Sequence, residues 1–221
     1  MVQDKKVLLI DCQLFQTSTY YRGMGRYSRM LLKSLLKDFS DDILKYDIVF
    51  IFNKYLDIDK RKLDSLRNLD SRIKVEFLDI PKPDFSKTKF YIELHKAYLN
   101  RYVLENYKNR NVDFLILSNF EVFSTLSAFP TLKNVRKFVI AYDLIPHIFF
   151  NMYLKNNSVY QNEYYVRLKN YFDADYIFTI SRTTKDDMIR YLNIDEKKVV
   201  NIDGARIEIQ DDIVNKINVK N

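Results

Sequence analysis

The stretch Arg22-Gly23-Met24-Gly25-Arg26-Tyr27-Ser28 lies between a short apolar run and a long amphipathic one. The upstream run, 6–11, has the length and the continuous hydrophobicity of a buried parallel strand, and it ends at an acid. Downstream, apolar residues recur at three- and four-residue steps from residue 24 to residue 39, which predicts a helix with one buried face. The stretch therefore marks a strand-to-helix connection in an α/β fold.

Two of the chain's three glycines, Gly23 and Gly25, fall at the start of this predicted helix. Glycine lets the backbone turn sharply, and it lets a ligand approach main-chain N–H groups without a side chain between them. The first N–H groups of a helix lack partners inside it and carry the positive end of its dipole. Gly23, Met24 and Gly25 are therefore candidates for binding a phosphate or carboxylate. The alternative, that both glycines only shape the connection, is equally open from spacing alone.

The spacing Gly23-x-Gly25-x-x-Ser28 is similar to a dinucleotide fingerprint, but two details argue against a protein that binds NAD or FMN. Eleven residues, 12–22, separate the glycines from the strand, where the fingerprint follows almost at once. The second apolar run, 48–52, ends in Asn-Lys instead of the acid that holds a ribose. The intervening loop is polar and aromatic, which favours a surface that faces a substrate.

Composition sets the broad class of the protein. A chain of 221 residues with 47% hydrophobic residues is long enough and apolar enough for one large folded domain. Cys12 is the single cysteine, which excludes an intrachain disulfide and a cysteine metal cluster. The net charge of +7 fits anionic ligands or an anionic membrane surface, yet no basic run or RNA-binding signature indicates a nucleic-acid partner. No apolar run reaches the ~20 residues of a membrane-spanning helix, so we expect a cytoplasmic protein, with peripheral association at the inner membrane face left open.

Apolar runs alternate with helix-period segments along nearly the whole chain. Strands are predicted at 6–11, 47–53, 73–79, 113–118, 136–142, 175–180 and 198–202, and helices at 24–39, 58–69, 89–109, 120–129, 160–173 and 182–192. This alternation predicts a Rossmann-like three-layer α/β domain over 1–221, with a mostly parallel sheet of about seven strands and helices on both faces.

Ligands of such sheets bind beyond the carboxyl ends of the strands, near the point where the strand order reverses. Tyr142 and Asp143 emerge at one such end, and Pro146 is expected to stop regular structure soon after. Asp143 has three open roles: binding a sugar hydroxyl, acting as a base, or accepting backbone N–H bonds in the turn. Ser181 ends another strand, and Thr183 or Thr184 is expected to cap the next helix.

Paired acids at 41–42 and 186–187 do not form a convincing metal site. Adjacent acids on a helix point to different sides, and no histidine or cysteine joins them. We therefore expect no bound metal and no other cofactor.

Three segments, in order, resemble the amino-terminal half of family 4 (group 1) GT-B glycosyltransferases of the surface-polysaccharide and cell-wall type. The first is similar to that branch's "D-x-Q … RGIGRY", the second to "HDLIP … YL", and the third to "AD-x-x-x-x-x-S … VVNI-x-x-A". In this chain they are Asp11-Cys12-Gln13 with 22–28, Tyr142–Pro146 with 152–154, and 174–181 with 199–205. The similarity covers 5–39 and 137–206, while 40–135 agrees only in its strand–helix rhythm.

The resemblance implies one half of a GT-B fold that holds the acceptor, facing a second Rossmann-like domain that binds the nucleotide-sugar. It implies sugar transfer to a glycan or lipid-linked acceptor, without a bound metal. The candidate residues are Asp143 and Tyr142 for catalysis; Gly23, Met24 and Gly25 for the donor diphosphate; and Gln13, Tyr20, Tyr21, Arg22, Asn119, Ser181 and Arg182 for the acceptor.

Two departures from the family pattern qualify these expectations. Tyr142 stands where the family usually has histidine, and a phenol with a pKa near 10 is a poor general base at neutral pH. The donor-binding domain has no counterpart in 1–221, so it is expected in cis or as a separate chain, and this chain alone is expected not to turn over nucleotide-sugar. The alternative is a non-catalytic, freestanding glycan-binding or scaffold domain.

Overall fold

The computed structural model describes residues 5–37, 43–84, 87–118 and 125–203. Their strands form one seven-stranded sheet in the order β3-β2-β1-β4-β5-β6-β7, and every neighbouring pair is parallel. The strands are β1 (Lys6–Asp11), β2 (Tyr46–Asn53), β3 (Lys74–Leu78), β4 (Val112–Ile116), β5 (Val135–Ala141), β6 (Tyr176–Thr179) and β7 (Val199–Asn201). The predicted Rossmann-like sheet is confirmed, and it is parallel throughout.

Seven α-helices lie within the described residues, and they cover both faces of the sheet. They are α1 (Gly23–Lys37), α2 (Lys60–Arg67), α3 (Thr88–Tyr107), α4 (Ile145–Ile148), α5 (Phe150–Tyr153), α6 (Ser158–Asp173) and α7 (Arg182–Leu192). One apolar cluster joins α1 and α2 to alternate residues of β1 and β2. A second cluster joins α3, α6 and α7 to the opposite face of the same strands. The alternation of side chains along buried strands therefore produces the three layers.

Two predictions about helices are wrong. The predicted helix at 120–129 is not present over 125–129, where the chain is buried but irregular; 119–124 lie outside the described residues. Pro146 does not stop regular structure, because it lies in the first turn of α4, where a missing N–H costs nothing. The helix predicted at 182–192 coincides with α7.

The order of the strands reverses between β1 and β4. From β1 the chain proceeds to β2 and β3 on one side, and from β4 it proceeds to β5, β6 and β7 on the other. In open α/β sheets, ligands bind beyond the carboxyl ends of the strands at such a reversal of strand order. Among the described residues, no helix combines the length and the hydrophobicity that crossing a membrane requires.

Candidate functional site

The loop that follows β1 contains two short 3-10 turns, Gln13–Gln16 and Ser18–Tyr21. The Gln13 side chain is 1% exposed, and its amide donates to both carboxylate oxygens of Asp11 at 3.1 Å. The Gln16 amide donates to the backbone oxygen of Asn53 at 2.7 Å, which ties the loop to the end of β2. Gln13, a predicted acceptor ligand, is therefore engaged inside the fold, where it holds Asp11.

Gly25 is required by the packing of α1 on the second 3-10 turn. A Cβ atom at Gly25 would lie 2.2 Å from the Thr19 oxygen and 2.6 Å from the Tyr20 oxygen. A Cβ atom at Gly23, in contrast, would meet nothing within 4 Å. Gly25 thus has the structural role, shaping the connection between β1 and α1. Gly23 leaves the first turn of α1 open to an approaching ligand.

Tyr142 joins the start of α1 to the ends of β4 and β5. Its hydroxyl lies 2.7 Å from Ser28 Oγ, and it is also within hydrogen-bond distance of the backbone oxygens of Met24 (3.3 Å) and Leu117 (3.2 Å). The Tyr142 ring packs edge-on against Tyr27, with 5.6 Å between the ring centroids. The Tyr142 hydroxyl thus links α1 to the ends of β4 and β5 through these contacts.

Asp143 follows Tyr142 on the exposed rim. Its Oδ1 accepts a 3.0 Å hydrogen bond from the Ile145 N–H, so the turn role is present in the structure. Two tyrosines of α6 lie near this carboxylate. Burial raises the pKa of Tyr164 and of Tyr160, and the negative charge of Asp143 adds to the increase for both. Tyr164 is buried in the apolar core, and Tyr160 packs half-buried against it.

The segment around Ser181 lies at the same rim, at the start of α7. Ser181 is the N-cap of α7 and accepts a 3.1 Å hydrogen bond from the Thr184 N–H, so the prediction of Thr183 or Thr184 as the cap is wrong. The Thr184 hydroxyl donates to the backbone oxygen of Tyr142 at 2.9 Å. Arg182 is exposed at the first position of the helix. Asn119 lies outside the described residues.

A group of cations and aromatic rings borders the exposed start of α1. The Arg29 guanidinium lies 4.0 Å from the centroid of the Tyr20 ring, and the Lys62 ammonium lies 4.7 Å from that of Tyr21. Tyr21 and Arg22 are exposed, whereas Tyr20 is half-buried. Tyrosine faces and cations of this kind bind sugars and anionic groups, and the local positive charge adds to that of the helix dipole.

These segments bring an exposed helix start and an exposed carboxylate to one edge of the sheet. Within the described ranges, no cluster of three or more His, Cys, Asp or Glu side chains has a geometry that could hold a metal ion. The arrangement can bind an anion at Gly23 and Met24, and it can accept a proton or hydrogen bond at Asp143.

Two residues of this arrangement were missing from the predicted set. Ser28 is fully buried against the Tyr142 hydroxyl, and Thr184 holds the Tyr142 backbone. Ser28 belongs to the glycine stretch itself, so its place in the sequence was a usable signal. Thr184 was recognisable as a residue type that caps helices. Its contact with Tyr142, 42 residues away, could not be predicted from the local sequence.

Solved glycosyltransferase structures are similar to this chain. A UDP-glucosyltransferase from Polygonum tinctorium matches with a TM-score of 0.59 and 10% identity, over 99% of this chain and 57% of that one. Phytolacca americana UGT2 matches with a TM-score of 0.56 and 10% identity, over 95% and 54%. A Rickettsia africae glycosyltransferase matches with a TM-score of 0.51 and 15% identity, over 99% and 51%. No protein-family model and no curated protein matches the sequence.

The chain thus spans about half the length of these glycosyltransferases. At such low identity the likeness establishes the fold. The protein has a Rossmann-like α/β fold with an all-parallel seven-stranded sheet, and that fold is shared with GT-B glycosyltransferases.

Proposed function

We propose that this chain is the acceptor-binding half of a glycosyltransferase that moves a sugar from a nucleotide-sugar to a glycan or lipid-linked acceptor in surface-polysaccharide synthesis. The shared fold supports sugar transfer as the reaction class, and the ordered motifs support the group 1 branch. One structural neighbour was solved with UDP-2-fluoro-glucose and pterostilbene, so that protein binds a nucleotide-sugar analogue together with an acceptor.

The observation that carries the proposal is the set of contacts around the Tyr142 hydroxyl. They join the exposed start of α1 to the strand end that bears Asp143, through Ser28 and the backbone of Met24. The exposed start of α1 and Asp143 therefore lie at the same rim of the sheet, which supports an anion site beside this acid. An anion site would stabilise the leaving diphosphate, and an acid beside it would contact the acceptor hydroxyl.

The reaction assigns a role to each part. The acceptor oxygen bonds to the anomeric carbon of the donor, while the bond from that carbon to the diphosphate oxygen breaks. The diphosphate leaves with the bonding electrons, and the N–H groups of Gly23 and Met24 stabilise its charge. Asp143 takes the proton that the acceptor hydroxyl loses. Tyr142 positions these groups, and Tyr21, Arg22 and Arg182 contact the acceptor.

The donor nucleotide belongs to a second Rossmann-like domain, in cis or on a separate chain, so the described chain alone is predicted not to turn over nucleotide-sugar. We further propose that the reaction uses no bound metal and that the protein works in the cytoplasm, where an acceptor carried by lipid is presented at the inner face of a membrane.

The test is a titration with pyrophosphate, because the helix start is proposed to recognise the diphosphate and not the nucleoside. Glycine-selective ¹⁵N labelling gives three backbone signals, from Gly23, Gly25 and Gly204. We expect the Gly23 and Gly25 signals to shift on addition of pyrophosphate and to stay in place with sodium chloride at matched ionic strength.

Two variants at one open position make this test specific. Gly23→Asn and Gly23→Asp have nearly the same shape and differ in charge, and a Cβ atom at Gly23 meets no atom within 4 Å. Gly23→Asp should weaken pyrophosphate binding about fivefold or more relative to Gly23→Asn, because the carboxylate occupies the positive end of the dipole. Equal affinity of the two variants, or no shift in the wild type, would favour a glycan-binding or scaffold domain without catalysis.

A further inference from the structure

The described helices leave one face of β5, β6 and β7 partly uncovered. On this face α1 and α2 pack over β1 and β2, whereas α3, α6 and α7 pack on the opposite face of the sheet. Four apolar side chains lie on the uncovered part, and we call them the open sheet face: Phe138, Tyr176, Phe178 and Val200. Tyr176 is 42% exposed and Val200 is 41% exposed. Parallel strands are normally buried on both faces, so an apolar surface of this kind indicates a covering partner.

A groove with a volume of about 290 Å³ lies between α1 and the open sheet face. Leu35 of α1 borders it, and the Phe138 and Phe178 rings, stacked with 5.7 Å between their centroids, form part of its lining. Asp113 also lines the groove, but its carboxylate is paired with the Arg136 guanidinium at 2.6 Å. Because this charge is compensated and the remaining described lining is apolar or aromatic, the groove is suited to an apolar occupant.

The chain turns towards α1 at the end of β7. Asp203 has a φ of 49°, and this left-handed conformation turns the backbone away from the extended path of the strand. The Asp203 backbone oxygen accepts a 3.2 Å hydrogen bond from the hydroxyl of Tyr27, which belongs to α1. Eight residues of α1, or about 12 Å, separate Tyr27 from the Leu35 that borders the groove. Residues 204–221 therefore follow directly from a point beside the helix that forms one wall of the groove.

The segment 204–221 has an apolar pattern that fits this groove. Ile209, Ile213 and Ile217 recur at four-residue steps, and Val214 lies three residues before Ile217. Such spacing predicts a helix with one apolar stripe, and the stripe from Ile209 to Ile217 would be about 12 Å long. Its length therefore equals that of the part of α1 along the groove. Val219 falls on the opposite, polar side of the same predicted helix.

We propose that 204–221 folds back beside α1 as an amphipathic helix and covers the open sheet face. Its isoleucine stripe fills the groove, and its polar side faces water. Burial of the stripe together with Tyr176 and Val200 removes apolar area from water, and this burial stabilises the docked helix. Docking needs no nucleotide-sugar and no acceptor, so the inference goes beyond the proposed function. Failure of the experiment below and failure of the pyrophosphate titration are therefore separate results.

Thiol labelling of the 221-residue chain with an aromatic disulfide reagent tests the proposal. Val200→Cys places a thiol on the open sheet face, and Tyr55→Cys places one at a 48% exposed site outside the groove. Cys12 is completely buried, so its reaction reports unfolding and serves as an internal reference. We expect Val200→Cys to react about tenfold more slowly than Tyr55→Cys, because the docked segment must open before the reagent can reach the thiol.

A matched pair of variants in the segment separates docking from a general loss of structure. Ile213→Asp puts a charge into the stripe and should raise the labelling rate of Val200→Cys about tenfold, whereas Val219→Asp puts the same charge on the polar side and should change it less than about twofold. Ile217→Trp should likewise emit further to the blue than Val219→Trp, since the chain has no other tryptophan. Equal labelling of Val200→Cys and Tyr55→Cys, or equal effects of the two aspartate variants, would overturn the proposal. So would protection that is lost on dilution, because a second copy would then be the occupant.

Discussion

Replacement of Tyr142 by phenylalanine removes one hydroxyl from the junction between α1, β4 and β5. The ring and its edge-on packing with Tyr27 are kept, so the lost stability reports the hydrogen bonds alone. The hydroxyl of Ser28 is 0% exposed and loses its 2.7 Å partner. A buried polar group left without its partner costs about 1–3 kcal/mol, so we expect the free energy of unfolding to fall by about 2 kcal/mol.

Urea unfolding followed by far-ultraviolet circular dichroism measures this change. Tyr27→Phe is the matched control, because it deletes the same atom from a neighbouring ring whose hydroxyl donates to the exposed backbone oxygen of Asp203 at 3.2 Å. Water replaces that partner, so the control should lose no more than about 0.5 kcal/mol.

A double-mutant cycle with Ser28→Ala makes the prediction refutable. Removing both hydroxyls leaves no orphaned group at this contact, so the double variant should be more stable than the sum of the two single changes implies, by about 1 kcal/mol or more. Additive losses, or a Tyr142→Phe loss no larger than that of Tyr27→Phe, would show that the Tyr142 hydroxyl does not hold the junction.

Three further changes have defined outcomes. Gly25→Ala should cost about 2–4 kcal/mol in urea unfolding because its Cβ meets backbone oxygens, whereas Gly23→Ala should be neutral or stabilising; equal effects would refute the packing role of Gly25. Burial lowers the pKa of His95 in the folded state, so the unfolded chain takes up a proton more readily. The free energy of unfolding should therefore fall by up to about 1.4 kcal/mol per pH unit as the pH drops below about 6.5. A His95→Phe variant should lack this pH-dependent loss. Burial raises the pKa of Glu163, whose charge is paired with Arg167 inside the fold. Arg167→Met leaves that charge unpaired, so it should cost about 3 kcal/mol of stability at neutral pH and less as the pH falls and Glu163 is protonated. A loss of stability that does not depend on pH would contradict this.

Much of the fold was predictable because its signals are local. Continuous apolar runs of strand length and helix-period segments identified all seven strands, and α7 was predicted at its observed limits. The rim was predictable as well, since parallel strands place all their carboxyl ends at one edge. The short helices α4 and α5 were missed because Pro146 indicated an end of structure, although proline suits the first turn of a helix.

The sequence by itself determined the layers, the strand direction and the edge of the sheet at which a ligand would bind, because these follow from periodicities of two and 3.6 residues. Only the tertiary structure decided which of the rim residues stay exposed. Gln13 was drawn inward by Asp11, Gly25 was packed against a 3-10 turn, and Tyr142 was bound to Ser28, 114 residues away. Such contacts join atoms that are distant along the chain, and no local pattern encodes them. They exist because folding buries polar groups only where another segment supplies a partner.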